Sequence, residues 1–339
     1  MINRRQAALL ALASALLAGC GRNAGADNSI DSGAIRFAVF SLEPKAILSD
    51  EWAPIVADMQ AVTGLKVKLS FIGGDAALIE AMRRRRIDLG WLSNQSALAA
   101  VRRTDGEVFA RPIPLASGGG DYAILVANAR NKLTLERVLK CDRRLTLGLG
   151  EALSTPASLA PETYLFAPRG TWPEKCFREV RRGSPEANLD LVADGKLDVA
   201  ALSSTWLRRA RLEGHRQADA VQEIWRSPPL AENPLLWRRD LDPAIKEKLR
   251  QFFLTYGDGD TPQAAVQRAR LARIGLAGFA PADASHLLPA REMEATHAWL
   301  EAEQSGDKAR IEVAKQALDA VRAERLDLEA RTRAPAAAQ

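Results

Sequence analysis

One stretch of this chain repeats itself 110 residues later. Ala77, Ile79, Ala81, Met82, Ile87, Asp88, Leu89, Gly90, Leu92 and Ser93 recur as Ala187, Leu189, Leu191, Val192, Leu197, Asp198, Val199, Ala200, Leu202 and Ser203. Each copy reads as a helix, a short polar link, and then (Ile/Leu)-Asp-(Leu/Val)-small-x-Leu-Ser. Helical spacing gives way to a short apolar run, the pattern of a strand after a helix. Both strands end in a serine. The repeat predicts two similar α/β lobes, each using the carboxyl ends of its strands for polar contacts.

The flanking sequence extends this pattern. Ile35–Phe40 reads as a strand and Glu51–Thr63 as a helix closed by Gly64. Lys66–Ile72 reads as a strand ended by Gly73-Gly74. Asp75 caps a helix from Ala76 to Arg85, and Ile87–Leu92 is the next strand. Alternation at this spacing predicts an α/β fold with largely parallel sheets. Two segments read as hinge strands between the lobes. Gly118-Gly119-Gly120-Asp121 precedes the apolar run Tyr122–Ala127, and Ser227-Pro228-Pro229 precedes Leu235-Leu236-Trp237. Lobe 1 is then discontinuous, 35–122 plus 231–300, and lobe 2 is 123–230. Residues 301–339 form a C-terminal helix and a frayed tail. Ile311, Ala314, Leu318, Val321 and Leu328 share one helical face. That face either packs back on lobe 1 or pairs two subunits.

The N-terminus sets the compartment. Met1 to Cys20 reads MINRRQAALLALASALLAGC, with Arg4 and Arg5 before an apolar stretch too short to span a bilayer. Residues 1–19 are read as a secretory signal peptide. Leu17-Ala18-Gly19-Cys20 resembles the bacterial lipobox, which implies lipidation of Cys20. Gly21 follows rather than Asp, so retention in the inner membrane is not signalled. Residues 20–34 form a lipidated flexible tether rich in Gly, Asn, Asp and Ser. The expected location is the periplasmic side of the cell envelope, lipid-anchored. Cys141 and Cys176 remain as an even pair in an oxidising space. Each lies just before a strand, and neighbouring parallel strands would bring them to disulfide distance.

Composition closes several routes. The 339 residues are 47% hydrophobic and 26% charged, which excludes disordered, collagen-like and multi-span membrane classes. A net charge of +5 does not demand nucleic acid. His215, His286 and His297 lie far apart, and none has metal-ligand spacing to a cysteine, so no metal site is read. Gly-x-Ser-x-Gly and the phosphate-binding Gly-x-x-x-x-Gly-Lys-(Ser/Thr) are both missing, which argues against an enzyme and against a nucleotide cofactor. Arg83-Arg84-Arg85-Arg86 reads as a solvated helix end. Trp91, Trp206 and Trp225 read as core or as pocket lining.

Three helix starts carry the candidate chemistry. Ser93-Asn94-Gln95-Ser96, Ser154-Thr155-Pro156 and Ser184-Pro185-Glu186 each offer hydroxyls or an amide with free backbone N–H groups at a positive dipole end. In an α/β lobe such starts lie at the carboxyl ends of strands, where ligands bind. Converging, they suit a small oxyanion; singly, each is an ordinary helix cap.

With these residues in view, the chain resembles the periplasmic substrate-binding proteins of phosphonate, phosphite and phosphate ABC importers. The matching segments include Trp52-Ala53-Pro54-Ile55, Asp88 to Ala97, Gly106 to Ala110, and Lys196 to Ala200. Ile224 to Pro228, Pro234 to Arg238 and Phe252 to Gly257 continue the match. The resemblance implies a two-lobed periplasmic-binding-protein-like (type II) fold that closes on its ligand, with an ABC permease as partner. It implies an oxyanion held by Ser154 and Thr155, where Pro156 replaces a third hydroxyl residue. Ser184 stands where relatives carry a histidine. Asp75 and Leu92 replace pocket tyrosines, and Thr205 and Asn233 fall near acidic residues that hold an ammonium group. The oxyanion end is thus kept in part and the amine end is not. The alternative is a diverged sensing or accessory lipoprotein that signals to a membrane partner.

Overall fold

A computed structural model describes residues 33–40, 45–72, 75–115, 120–152 and 154–333. The signal peptide, Cys20 and most of the tether fall outside these residues, as do Gly73, Gly74, Gly118, Gly119 and the last six positions.

The chain builds two sheets. The first has the order β2-β1-β3-β10-β4-β11. Its strands are β1 (Ala34–Phe40), β2 (Lys66–Ile72), β3 (Leu89–Trp91), β4 (Gly106–Pro114), β10 (Leu235–Arg238) and β11 (Leu276–Pro281). The second has the order β7-β6-β8-β5-β9. It contains β5 (Ala123–Asn128), β6 (Thr146–Leu149), β7 (Glu179–Arg182), β8 (Val199–Ser203) and β9 (Val221–Arg226). The chain crosses between the sheets twice, after β4 and after β9. Each arriving strand runs against its neighbours: β5 is antiparallel to β8 and β9, and β10 to β3 and β4. The sheets are therefore mixed where the alternation alone predicted mostly parallel pairing. A strand entering from the other sheet has no crossover helix to reset its direction.

The 110-residue repeat is a repeat of hydrogen bonds. Asp88 Oδ2 accepts from the Arg36 amide at 2.9 Å, and Asp198 Oδ2 accepts from the Thr146 amide at 2.8 Å. Both donors and both acceptors are offset by the same interval. Each aspartate directly precedes the second strand of a parallel pair, β1 with β3 and β6 with β8. Ser93 Oγ then accepts from the Ser96 amide, and Ser203 Oγ from the Trp206 amide, each at 3.0 Å. The serines that end the two repeats are helix caps.

Three longer helices accompany lobe 1: α1 (Lys45–Thr63), α2 (Asp75–Arg83) and α3 (Asn94–Arg103). In lobe 2, α5 (Pro185–Ala193) and α6 (Ser204–Leu212) follow a shorter α4 (Leu135–Val138). Then come α7 (Pro243–Thr255) and α8 (Pro262–Arg273), and finally α9 (Leu288–Ser305) and α10 (Lys308–Arg333). In lobe 1 the core centres on Phe37, Trp52, Trp237 and Phe253, with Phe109 stacked on Trp237 at 3.8 Å. Burying one such side chain contributes roughly 1.5–3 kcal/mol. β5 is buried along its whole length because both faces are covered: Ile124 and Val126 face Leu189 and Val192, while Leu125 faces Leu147 and Phe166. Trp91, Trp206 and Trp225 all pack against core clusters. Arg83 and Arg84 pair with Glu80, and Arg85 with Asp240, on the exposed end of α2.

α10 lies along α9 and buries Leu318 and Val321, the centre of the expected apolar face. Its Arg322 and Arg325 bond the buried carboxylate of Glu292 on α9. α9 touches both parts of the molecule. Ala290 joins the lobe 1 cluster around Leu92, and Met293 joins Ala123, Leu159 and Ala160. The Cys141 and Cys176 sulfurs are bonded at the amino ends of β6 and β7, which pair in parallel with Thr146 opposite Glu179.

Candidate ligand-binding site

In lobe 2, β7, β6 and β8 are parallel and end at one edge. Ser184 follows β7, Ser154 and Thr155 follow β6, and Thr205 follows β8. Sequence-distant residues thus meet at the carboxyl edge of one sheet. Asn188, buried on α5, ties two of these ends together: its Nδ2 donates to Leu149 O at 2.9 Å and to Gly183 O at 3.4 Å. Nothing in the sequence singled it out.

The starts differ in how their backbone donors are satisfied. Ser184 Oγ accepts from the Ala187 amide at 3.2 Å, so this hydroxyl serves α5. At α6, Ser203 caps the helix and Asp121 Oδ1 accepts from the Thr205 amide at 3.2 Å and from the Ser203 hydroxyl at 2.7 Å. A carboxylate of the chain itself therefore sits at that positive helix end. Ser154 makes no side-chain capping bond. It opens a run of wide π turns, Thr155–Leu159 and Glu162–Phe166. The first intrahelical bonds come from the Ser158 and Leu159 amides to Ser154 O, both at 3.0 Å. The Thr155 and Ala157 N–H groups lie ahead of them, and Pro156 has no N–H. Beneath this turn, Ser158 Oγ donates to Gly150 O, and Arg182 Nη1 donates to both Gly150 O and Ser158 Oγ, each at 3.1 Å.

The lobe 1 residues lie against the second crossing segment. Trp91 Nε1 donates to Asn233 O at 2.6 Å, Leu92 N to Pro234 O at 3.1 Å, and Asn94 Nδ2 to Ala231 O at 2.7 Å. Asn94 thus bonds the segment that carries Asn233, and Ser93 precedes it as the α3 cap. Two expectations need correction. Leu92 is fully buried in the lobe 1 cluster with Leu78, Met82, Ile87 and Leu98. Its place in the apolar run after Gly90 makes it core. Ser96 is also fully buried, in the first turn of α3. Asp75 begins α2 at the carboxyl end of β2.

A cavity of about 500 Å³ opens beside both crossing segments. Gly120, Tyr122 and Pro229–Glu232 border it, with Arg111, Pro114 and Leu115 from the end of β4 and His286 before α9. Among the described residues, the serines, threonines and asparagines selected from the sequence are not part of its lining. Burial pushes the Glu232 carboxyl above the usual range, and Asp121 adds to the shift while Arg111 opposes it. Burial holds the His286 imidazole below its ordinary value, and its Nε2 lies 2.7 Å from Glu232 O. Sequence reasoning missed this cavity because its walls come from four separated segments, none with a motif.

Two α/β lobes, joined by two crossing segments and presenting helix starts at their strand ends, define a two-lobed ligand-binding protein of the type II arrangement. The family profile described as the periplasmic substrate-binding protein of phosphonate ABC transporters matches residues 37–287. A phosphonates-binding periplasmic protein of Escherichia coli K12 is 31% identical over 261 residues, covering 77% of this chain and 75% of that protein. A solved binding component of a Pseudomonas aeruginosa ABC phosphonate transporter is 32% identical, with a TM-score of 0.71 over 88% of this chain and 98% of that one. A Prochlorococcus marinus protein solved with methylphosphonate shares the fold at 17% identity, with a TM-score of 0.63 over 77% of this chain and 97% of that one. The chain belongs to the family of periplasmic substrate-binding proteins of phosphonate ABC transporters. Members of that family are binding components of transporters rather than enzymes, and they are periplasmic.

Proposed function

We propose that this chain captures a small phosphorus oxyanion of the phosphonate, phosphite or phosphate class between its lobes and delivers it unchanged to an ABC permease. The lobes that close on the ligand are 35–122 with 231–300, and 123–230. Cys20 carries a lipid that holds the protein to the envelope membrane. The observation that carries the ligand assignment is the contrast among helix starts. Those at Ser93, Ser184 and Ser203 are capped by the chain's own oxygens, whereas Ser154 makes no capping bond. The oxyanion sits on the Ser154 and Thr155 hydroxyls and the backbone donors of that turn, with Asn94 and Asn233 contributed from across the cleft.

Charge-assisted hydrogen bonds from two hydroxyls contribute roughly 1.5–3 kcal/mol each. Ser154→Ala combined with Thr155→Val should therefore weaken binding about a hundredfold or more, at 1.4 kcal/mol per factor of ten. The apo melting temperature should change little, because Ser154 caps nothing. Calorimetric titration with methylphosphonate, phosphite and phosphate reads this directly. A double variant that binds as tightly as the wild type removes the anion from this turn. Ser93→Ala is the control and should weaken binding less, since its hydroxyl already serves α3.

A further inference from the structure

We propose that His297 on α9 is a positioning residue for the oxyanion turn, acting through Glu162 and Arg182. The proposal rests on the placement of the ligand at Ser154 and Thr155. A chain of polar contacts links that turn to the C-terminal helices. Arg182 Nη1 supports Gly150 O and Ser158 Oγ at 3.1 Å. Its Nη2 lies 3.9 Å from Glu162 Oε1, outside hydrogen-bond range. Glu162 Oε2 and His297 Nδ1 are 2.7 Å apart. The Glu162 carboxylate is buried, only 5% exposed, so it cannot rely on water for its charge.

Which cation neutralises Glu162 decides where Arg182 points. With His297 protonated, the imidazolium matches the carboxylate at close range and Arg182 remains on the backbone of the turn. With His297 neutral, the buried carboxylate has Arg182 as its remaining cation. The guanidinium then moves the short distance to Glu162 and leaves Gly150 O and Ser158 Oγ. The turn that holds the anion loses its support. The charged groups around His297 are Glu162 from the π run, Arg182 from β7, and Glu301 on α9 itself, at 3.5 Å from Nε2. On neighbouring turns of α9, Glu294 pairs with Arg102 of α3, and Glu292 with Arg322 and Arg325 of α10. The hydrogen bond to Glu162 holds the imidazole pKa above its ordinary value, against the effect of burial. The imidazolium contribution is thus complete below about pH 6.5, the unperturbed value, and is lost as pH rises through the higher folded value.

Two measurements on the full mature protein test this. In calorimetry with methylphosphonate, His297→Gln should bind three- to tenfold more weakly than wild type at pH 6 and within twofold of it at pH 9. Comparing variants at one pH cancels the ligand's own titration. His297→Lys, with a permanent charge, should recover tight binding at both pH values. A wild-type to Gln ratio that is the same at both pH values overturns the proposal. The second measurement is hydrogen exchange of the Gly150, Ser158 and Leu159 amides without ligand. These amides should exchange faster in His297→Gln than in wild type at pH 6 and alike at pH 9. Equal exchange at both values overturns the proposal independently. Wild type that shows no heat with any phosphorus oxyanion defeats the ligand assignment instead, and the exchange comparison still decides the role of His297.

Discussion

Gly150 has no room for a methyl group. A Cβ built there would fall 2.7 Å from Ala157 Cβ and 3.2 Å from Ser154 Cβ. Neither neighbour is the end of a flexible side chain, so Gly150→Ala must displace the turn that starts at Ser154. Overpacking of this kind costs typically 1–3 kcal/mol, and here the strain falls on the proposed ligand contacts. Gly170→Ala is a matched comparison: it strains a left-handed backbone (φ +62°) with no atom within 4 Å of the new Cβ. Both variants should lower the melting temperature by a few degrees. Only Gly150→Ala should weaken oxyanion binding, by at least tenfold in calorimetry. Equal affinity in the two variants would show that the geometry of this turn is immaterial to the ligand.

At the scale of elements, the chain is legible wherever structure is set locally. The caps at Ser93 and Ser184 follow from Ser preceding a helical pattern. The repeat fixes two helix–strand units because Asp88 and Asp198 make the same backbone bond in each. The π run after Ser154 reads as an ordinary helix in sequence, since its wide turns are packed against α9, more than a hundred residues away. Leu92 shows the same limit in reverse. The family resemblance implies a pocket position for it, while the apolar run it belongs to makes it core. The cavity of Arg111, Glu232 and His286 was invisible because no local pattern brings four segments together. Asp121 reads as the flank of a hinge strand, and its carboxylate accepts from the Thr205 amide beside the Ser203 cap of α6. The cysteine pair is different, for it depends only on two strand starts being neighbours. Its bridge closes a separation of 35 residues, which on chain-entropy grounds contributes roughly 3–4 kcal/mol. Reductant should lower the melting temperature of periplasmically produced protein by several degrees, and Cys141→Ser with Cys176→Ser should reproduce the shift. Two free thiols in non-reducing mass analysis would sink this expectation.

For the molecule as a whole, the crossing region carries charges that oppose each other in their response to pH. Two carboxylates, Asp121 and Glu232, lie on the two crossing segments, and Glu232 lines a cavity that Arg111, Tyr122 and His286 also border. Asp121 Oδ1 accepts from four donors at the start of lobe 2 and α6. Glu232 faces that charge while partly removed from water, and its carboxyl is raised chiefly by burial. An acid with a raised folded pKa destabilises the folded state in its ionised form. The cost is complete above the folded value and disappears as pH falls below the unfolded value, about 4.3 for glutamate. Near neutral pH, Glu232 is therefore a charge the fold tolerates rather than one it gains from. Glu232→Gln keeps the shape and removes the charge, and the backbone carbonyl that meets His286 is untouched. The variant should melt a few degrees higher than wild type at pH 8, and the two should converge as pH approaches 4. His286, depressed by burial, titrates in both proteins and cancels in the comparison. A Glu232→Gln protein that melts lower than wild type at pH 8 would mean that this carboxylate is held by a favourable partner, and that the hinge charges stabilise the crossing instead of opposing it.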